Sequence, residues 1–143
     1  MTISLKSGRI TLLVCSLLLV AVALGIAIIV IPAVKVDPFP HATPERAVPG
    51  FWVIGASQLL AAAYFLEVSI TTRGRTVFMM IMQTIVGALV LLLGYALTDA
   101  AAASLGHGPG MHVTAMVLFA CAIASYISAV MAITTACVLP KKA

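Results

Sequence analysis

Four long apolar stretches, separated by short polar or proline-rich segments, are the feature that most constrains the fold of this chain. The first runs from Ile10 to Val34 without a charged residue. A helix needs about 20 apolar residues to cross the hydrocarbon core of a bilayer. Because the chain has 143 residues, four crossings use most of it, and a fifth would leave no room for loops. The sequence therefore predicts an all-α integral membrane protein, a single-domain four-helix bundle.

Composition and charge exclude the main soluble classes of protein. Charged residues make up 8% of the chain, whereas a soluble domain carries roughly 25%. The net charge is +4, but the basic residues lie singly or in pairs at the ends of the apolar stretches, so we expect a bilayer and no nucleic acid as partner. The three cysteines lie in apolar stretches without a CxxC spacing, which indicates neither a disulfide framework nor a metal site.

Proline, glycine and charge predict where the helices end. The predicted helices cover residues 10–31, 51–70, 77–104 and 111–139. The segment 35–50 holds four prolines and four charged residues, which predicts a stiff, irregular loop because proline fixes φ and removes a donor. The first apolar stretch is longer than the roughly 7–15 residues of a signal-peptide core, so we expect an uncleaved first helix.

The distribution of basic residues predicts the orientation in the membrane. Two lie in the segment 35–50, and six lie at the opposite ends of the helices: Lys6, Arg9, Arg73, Arg75, Lys141 and Lys142. Because positively charged flanks stay in the cytoplasm, the bundle is predicted to be N-in/C-in. A bacterial inner membrane and the endoplasmic reticulum both fit this orientation.

Two acidic residues inside predicted helices are candidates for chemistry, because an ionisable group in a membrane helix is costly and indicates function. Glu67 lies near the cytoplasmic end of helix two and Asp99 near the outer end of helix three. At ~1.5 Å per residue they are ~25 Å apart along the bundle, so they cannot share a substrate atom. Glu67 shares a helix face with Tyr64 and Leu60. It either snorkels to the headgroups or pairs with Arg73 or Arg75, or it faces a cavity between helices.

Polar residues concentrate at the outer end of the predicted bundle. The predicted catalytic residues are Asp99, His112, Tyr95 and, separately, Glu67, and the predicted substrate-binding residues are Trp52, His41, Arg46 and His107. There, a carboxylate could act as acid or base, a histidine could carry the complementary proton, and an arginine could hold a developing oxyanion. Polar residues also gather wherever water is, and tryptophan is typical of membrane interfaces, so a purely structural interpretation stays open.

No cofactor or metal is predicted. Asp99, His107 and His112 could supply three ligands, but their spacing matches no zinc pattern. No nucleotide, haem or quinone motif occurs in the sequence.

Small and polar residues recur at helical spacing and predict the seams where helices pack, since close backbone approach drives association in lipid. They are Gln83, Gly87, Gly94 and Thr98 on helix three, and Cys121, Ser125, Ser128, Ala132 and Thr135 on helix four. Packing explains these stripes without assigning them chemistry.

The sequence also carries a family resemblance. Gly25 with Pro32, DPFPHATP after the first helix, WVIGASQLLAAAYFL in the second, RTVFMMIMQTIVGALVLLLGYALTD in the third and the following GHGPGMH carry it. In this layout the chain resembles DoxX-like four-helix membrane proteins, in particular small fungal membrane proteins found beside polyketide and terpenoid biosynthetic enzymes. Some of these are similar to membrane epoxide hydrolases and cyclases, and the resemblance implies such an activity here.

Three functions remain open from the sequence. The first is a small membrane enzyme acting on a lipophilic substrate, most plausibly by epoxide hydrolysis or cyclisation. The second is a non-catalytic structural or assembly subunit of a larger membrane complex. The third is a small transporter, for which four helices enclose little space unless copies of the chain associate, so a homo-oligomer is also open.

Overall fold

The computed structural model describes residues 2–36, 44–105 and 111–141, with side chains described for 2–35, 48–105 and 113–141. Four helices run through these residues. Helix α1 consists of α-helical Leu5–Gly25, a π-helical segment Ile26–Val30 and α-helical Ile31–Val36; α2 is Pro44–Thr71, α3 is Val77–Ser104 and α4 is Met111–Val138. No strand is present in the described residues, so the predicted all-α four-helix bundle is confirmed.

All four helices are long and apolar enough to cross a membrane. The candidate spans are Leu5–Lys35, Val48–Thr71, Val77–Ser104 and Val113–Val138. They confirm the predicted multi-pass membrane protein.

The predicted boundaries of the first two helices were wrong. Helix α1 begins at Leu5, where the Ser4 side chain accepts a hydrogen bond from the Ser7 amide and caps the helix. It continues past Pro32 to Val36 after the π segment, in which the Ile31 amide donates to the Ile26 carbonyl. The predicted irregular loop is shorter than 35–50, because α2 already begins at Pro44. Proline is tolerated at the first helical position, since no intrahelical bond needs its amide there.

The order of the helices around the bundle differs from their order along the chain. Helix α1 packs against α2 and α4, and α3 packs mainly against α4, whereas α2 and α3 scarcely touch although a short turn joins them. The bundle is therefore closed on three sides, and the side between α2 and α3, which we call the seam, is open.

Close packing of α3 against α4 depends on the predicted small residues. Gly87 and Gly94 are buried on α3, and Ser125, Ser128 and Ala132 are buried on α4. A Cβ atom at Gly87 would lie 2.5 Å from Ile133 Cγ1, so glycine is what allows the backbones to approach. These stripes line the packed interface between the two helices, as predicted.

One end of the bundle, here called the basic end, holds the first and last described residues and the turn between α2 and α3. The Ile3 amide donates to the Val138 carbonyl at 2.9 Å, and the Arg75 amide donates to the Pro140 carbonyl at 2.7 Å. The Arg9 guanidinium donates to the Thr72 carbonyl. This arrangement places five of the six basic residues of the predicted cytoplasmic side together, and Lys142 lies outside the described residues.

Candidate functional site

The described residues of the predicted outer site lie on the surface of the bundle. Asp99 and Tyr95 are one turn apart on α3, and both side chains are exposed, Tyr95 to 68%. Trp52 is exposed on α2 and lines a small apolar cavity of about 200 Å³ between α1 and α2, beside the π segment. Asp99 and Tyr95 line neither this cavity nor the two described below.

The remaining residues of the predicted outer site cannot be placed relative to Asp99. His41 and His107 lie outside the described residues. Arg46 and His112 belong to α2 and α4, but their side chains are outside the described set. A catalytic site around Asp99 therefore stays a prediction.

Glu67, the remaining predicted catalytic residue, lies in a polar cleft at the basic end of the seam. The cleft has a volume of about 440 Å³. It is lined from α2, the turn and the start of α3 by Tyr64, Glu67, Val68, Thr71, Thr72, Arg73, Gly74, Thr76, Phe78 and Met79. The second sequence interpretation, a carboxylate facing a cavity between helices, describes this position.

The turn between α2 and α3 shapes the floor of the cleft. The Gly74 amide donates to the Thr72 hydroxyl oxygen at 3.4 Å, and Gly74 has a φ of 139°, which favours glycine because it lacks a Cβ. The same hydroxyl lies 3.6 Å from the Met79 sulfur. Thr76 then caps α3 by accepting from the Met79 amide at 3.1 Å. The tight turn holds the exposed Arg73 at the rim of the cleft.

An apolar groove continues from the cleft along the seam toward the middle of the membrane. It has a volume of about 360 Å³ and is lined by Ser57, Leu60, Ala61, Tyr64, Val86, Leu89, Val90, Leu92 and Leu93. Tyr64 lines both cavities, so the two adjoin at its side chain. Because Leu60 is 74% exposed and Leu92 is 65% exposed, the groove opens sideways to lipid.

The charged groups of the cleft are available for a ligand. Among residues whose side chains are described, Glu67 forms no ion pair, so the salt-bridge interpretation finds no partner there. Its exposed side chain fits both a snorkelling carboxylate and a carboxylate facing the cleft. One arginine proposed as its partner, Arg75, instead donates to the Cys137 carbonyl at 2.8 Å. Within this described set, no group of three or more His, Cys, Asp or Glu residues could hold a metal ion.

The combined seam has the shape and polarity of a site for an amphiphile. The α2 wall of the groove, from Ser57 to Tyr64, extends over ~10 Å at ~1.5 Å per residue, a length suited to a medium-length alkyl chain. Where the groove meets the cleft, a carboxylate (Glu67) and a phenol (Tyr64) are one helical turn apart on α2. A pair of this kind can serve as general base and general acid.

The sequence predicts Glu67 as a catalytic residue and places Tyr64 only on the same helix face, and it gives no indication of the seam. The groove residues on α3 belong to a uniformly apolar stretch, and nothing in their pattern indicates that α2 and α3 stay apart. Small residues, which mark close helix packing, occur on α2 as well as on α3 and α4, so they do not identify the open side.

Comparison with protein-family models, curated proteins and solved structures finds no match to this chain. The resemblance to DoxX-like proteins accordingly stays a prediction from the sequence.

Proposed function

We propose that the protein is a small membrane enzyme that takes a lipophilic substrate from the bilayer into the seam between α2 and α3. The observation that carries the proposal is the continuity of the seam, where an apolar groove meets a polar cleft at Tyr64. The cleft contains Glu67, whose carboxylate forms no ion pair with the described side chains. A substrate would place its chain in the groove and its reactive polar group beside Tyr64 and Glu67. Ligand sites commonly combine apolar walls with a few convergent polar groups in this way.

The proposed reaction is the hydrolysis of an epoxide, the activity that the sequence resemblance implies. The Glu67 carboxylate takes a proton from a water molecule while the water oxygen attacks a ring carbon. The bond between that carbon and the ring oxygen breaks, and the oxygen receives the Tyr64 hydroxyl proton. Glu67 then returns its proton to the Tyr64 phenolate, which leaves a diol and restores both groups. Cyclisation is the same reaction with a substrate hydroxyl in place of water.

A turnover assay tests this assignment. With 1,2-epoxydecane and purified protein in lipid vesicles, the diol product is measured by mass spectrometry. Glu67→Gln keeps the size of the side chain but cannot accept the proton, so we expect a rate roughly 100-fold lower. Tyr64→Phe removes the proton donor and should also slow the reaction, with both variants melting like the wild type.

If the catalytic site lies instead around Asp99, as predicted from the sequence, the reverse result is expected. If Asp99 is the catalytic carboxylate, Asp99→Asn abolishes diol formation while Glu67→Gln retains it. That outcome would overturn the seam as the catalytic site and return the reaction to the opposite end of α3.

A non-catalytic membrane subunit is the second candidate, and the open seam also favours it. A partner helix seated on the exposed groove leucines would cover the open side of the bundle and exclude a small molecule. If the protein is such a subunit, the purified chain should show no turnover. Crosslinks from the groove should then lead to one defined partner in the native membrane.

A further inference from the structure

Gln83 on α3 is the least satisfied polar side chain among the described residues. It is fully buried, and neither its amide oxygen nor its amide nitrogen has a hydrogen-bond partner in that set. Gln58 on α2 is equally buried, but its amide nitrogen donates to the Ser125 hydroxyl at 2.8 Å. An unpaired buried amide costs several kcal/mol in an apolar environment, and lipid offers no substitute partner.

The position of Gln83 along α3 matches the point where the cleft meets the groove. Gln83 lies six residues after the start of α3 at Val77, and Tyr64 lies seven residues before the end of α2 at Thr71. At ~1.5 Å per residue, both lie ~10 Å from the turn that joins these helices. Met79, one turn before Gln83, lines the cleft, and Val86, almost one turn after it, lines the groove.

Gln83 itself lines neither cavity, but its helix makes few contacts across the seam. Helices α2 and α3 scarcely touch, so a ligand that widens the seam breaks little packing between them. On the other side α3 is held firmly against α4. The side of α3 toward α2 is therefore the side on which the buried amide can gain a partner at least cost.

We infer that Gln83 binds the uncharged oxygen group of an amphiphile seated in the seam, an inference that rests on the proposed function. A primary amide both donates and accepts, so it suits a hydroxyl or an epoxide oxygen. An ionic group is costly at this depth and would remain at the rim beside Arg73. The substrate class is thus a medium-chain amphiphile whose reacting oxygen is neutral.

Two diazirine probes test the inference by selectivity. One is a mid-chain diazirine derivative of 1-decanol and the other is the same derivative of decane, and the concentration for half-maximal photolabelling is measured for each. In the wild type we expect the alcohol to label at a roughly fivefold lower concentration, as one net hydrogen bond provides. Gln83→Met keeps the side-chain length and should abolish this difference.

Gln58→Met is the matched control. It should retain the preference for the alcohol but lower the melting temperature, because it removes the buried hydrogen bond that the Ser125 hydroxyl accepts from Gln58. Gln83→Met should melt no lower than the wild type, because it removes an amide with no partner in the described set.

The outcomes separate this inference from the proposed function. If groove labelling persists and Gln83→Met keeps the preference for the alcohol, the role of Gln83 is overturned and the seam site stands. If neither probe labels α2 or α3 of the wild type, both proposals are overturned.

Discussion

At the scale of single residues, Gly87 decides how closely α3 approaches α4. An added Cβ would lie 2.5 Å from Ile133 Cγ1 and 3.4 Å from the Ala129 carbonyl oxygen, so the Ile133 side chain or one of the two helices would have to shift. Gly50 on α2 offers a contrast, because a Cβ there meets nothing within 4 Å.

We predict that Gly87→Ala lowers the free energy of unfolding by about 1–3 kcal/mol, because overpacking between α3 and α4 costs more than the gain in helix propensity. Gly50→Ala should be neutral or stabilising by up to about 1 kcal/mol. Unfolding by SDS titration in mixed micelles measures both. Equal effects at the two positions would show that close approach at Gly87 does not control packing.

Residue-level prediction from the sequence is strongest where one side chain carries the signal by itself. Glu67 stood out because a carboxylate is rare in a membrane helix, and the stripe through Gly87 and Gly94 indicated close packing. Gln83 was assigned to the same packing stripe, because the sequence cannot tell whether a buried amide has a partner. That distinction depends on the three-dimensional neighbours of Gln83.

At the scale of elements, the turn between α2 and α3 is fastened to the end of α4. The Arg75 guanidinium donates to the Cys137 carbonyl at 2.8 Å, and its backbone amide donates to the Pro140 carbonyl. A cation near a helix C-terminus also interacts favourably with the unpaired carbonyls there. This side chain therefore stabilises the basic end in addition to carrying a topology signal.

We predict that Arg75→Met accelerates amide hydrogen exchange at Val138, Leu139 and Lys141 and lowers the free energy of unfolding by about 1 kcal/mol, the net value of one hydrogen bond. Arg73→Met is the matched control, because it removes the same charge from an exposed position. The contacts of Arg75 predict a larger effect than at Arg73. Identical exchange in both variants would contradict this account and show that Arg75 contributes only its charge.

The helical elements were predictable because each apolar stretch exceeds the length needed to cross a bilayer. The ends of the helices were harder to predict. Pro44 opens α2 and Pro32 lies inside α1, whereas a proline at either place was expected to interrupt the helix. The first helical position tolerates proline, and the π segment before Pro32 changes the local hydrogen-bond pattern.

At the scale of the whole molecule, the bundle is asymmetric: three helix pairs close it, and α2 with α3 leave it open. Sequence neighbours joined by a short turn usually pack together, so the open side between α2 and α3 is an exception that the sequence does not reveal. The open seam brings a lipid-facing groove and a polar cleft together at Tyr64, and the proposed enzyme depends on this feature.

The seam as a binding site predicts that a bulky side chain in the groove blocks it. Leu92 lines the groove and is 65% exposed, while Leu17 on α1 is 60% exposed and lines none of the cavities described above. Leu92→Trp should therefore prevent labelling by the decanol probe and reduce diol formation. Leu17→Trp should change neither, and equal losses in both variants would indicate a general disturbance of the bundle.

The most direct test of the central claim is to map where the decanol diazirine probe attaches to the wild-type protein in vesicles, by peptide mass spectrometry. The account predicts adducts concentrated on residues 57–64 of α2 and 86–93 of α3. Adducts spread evenly over the exposed residues of all four helices, or concentrated around Asp99, would contradict it.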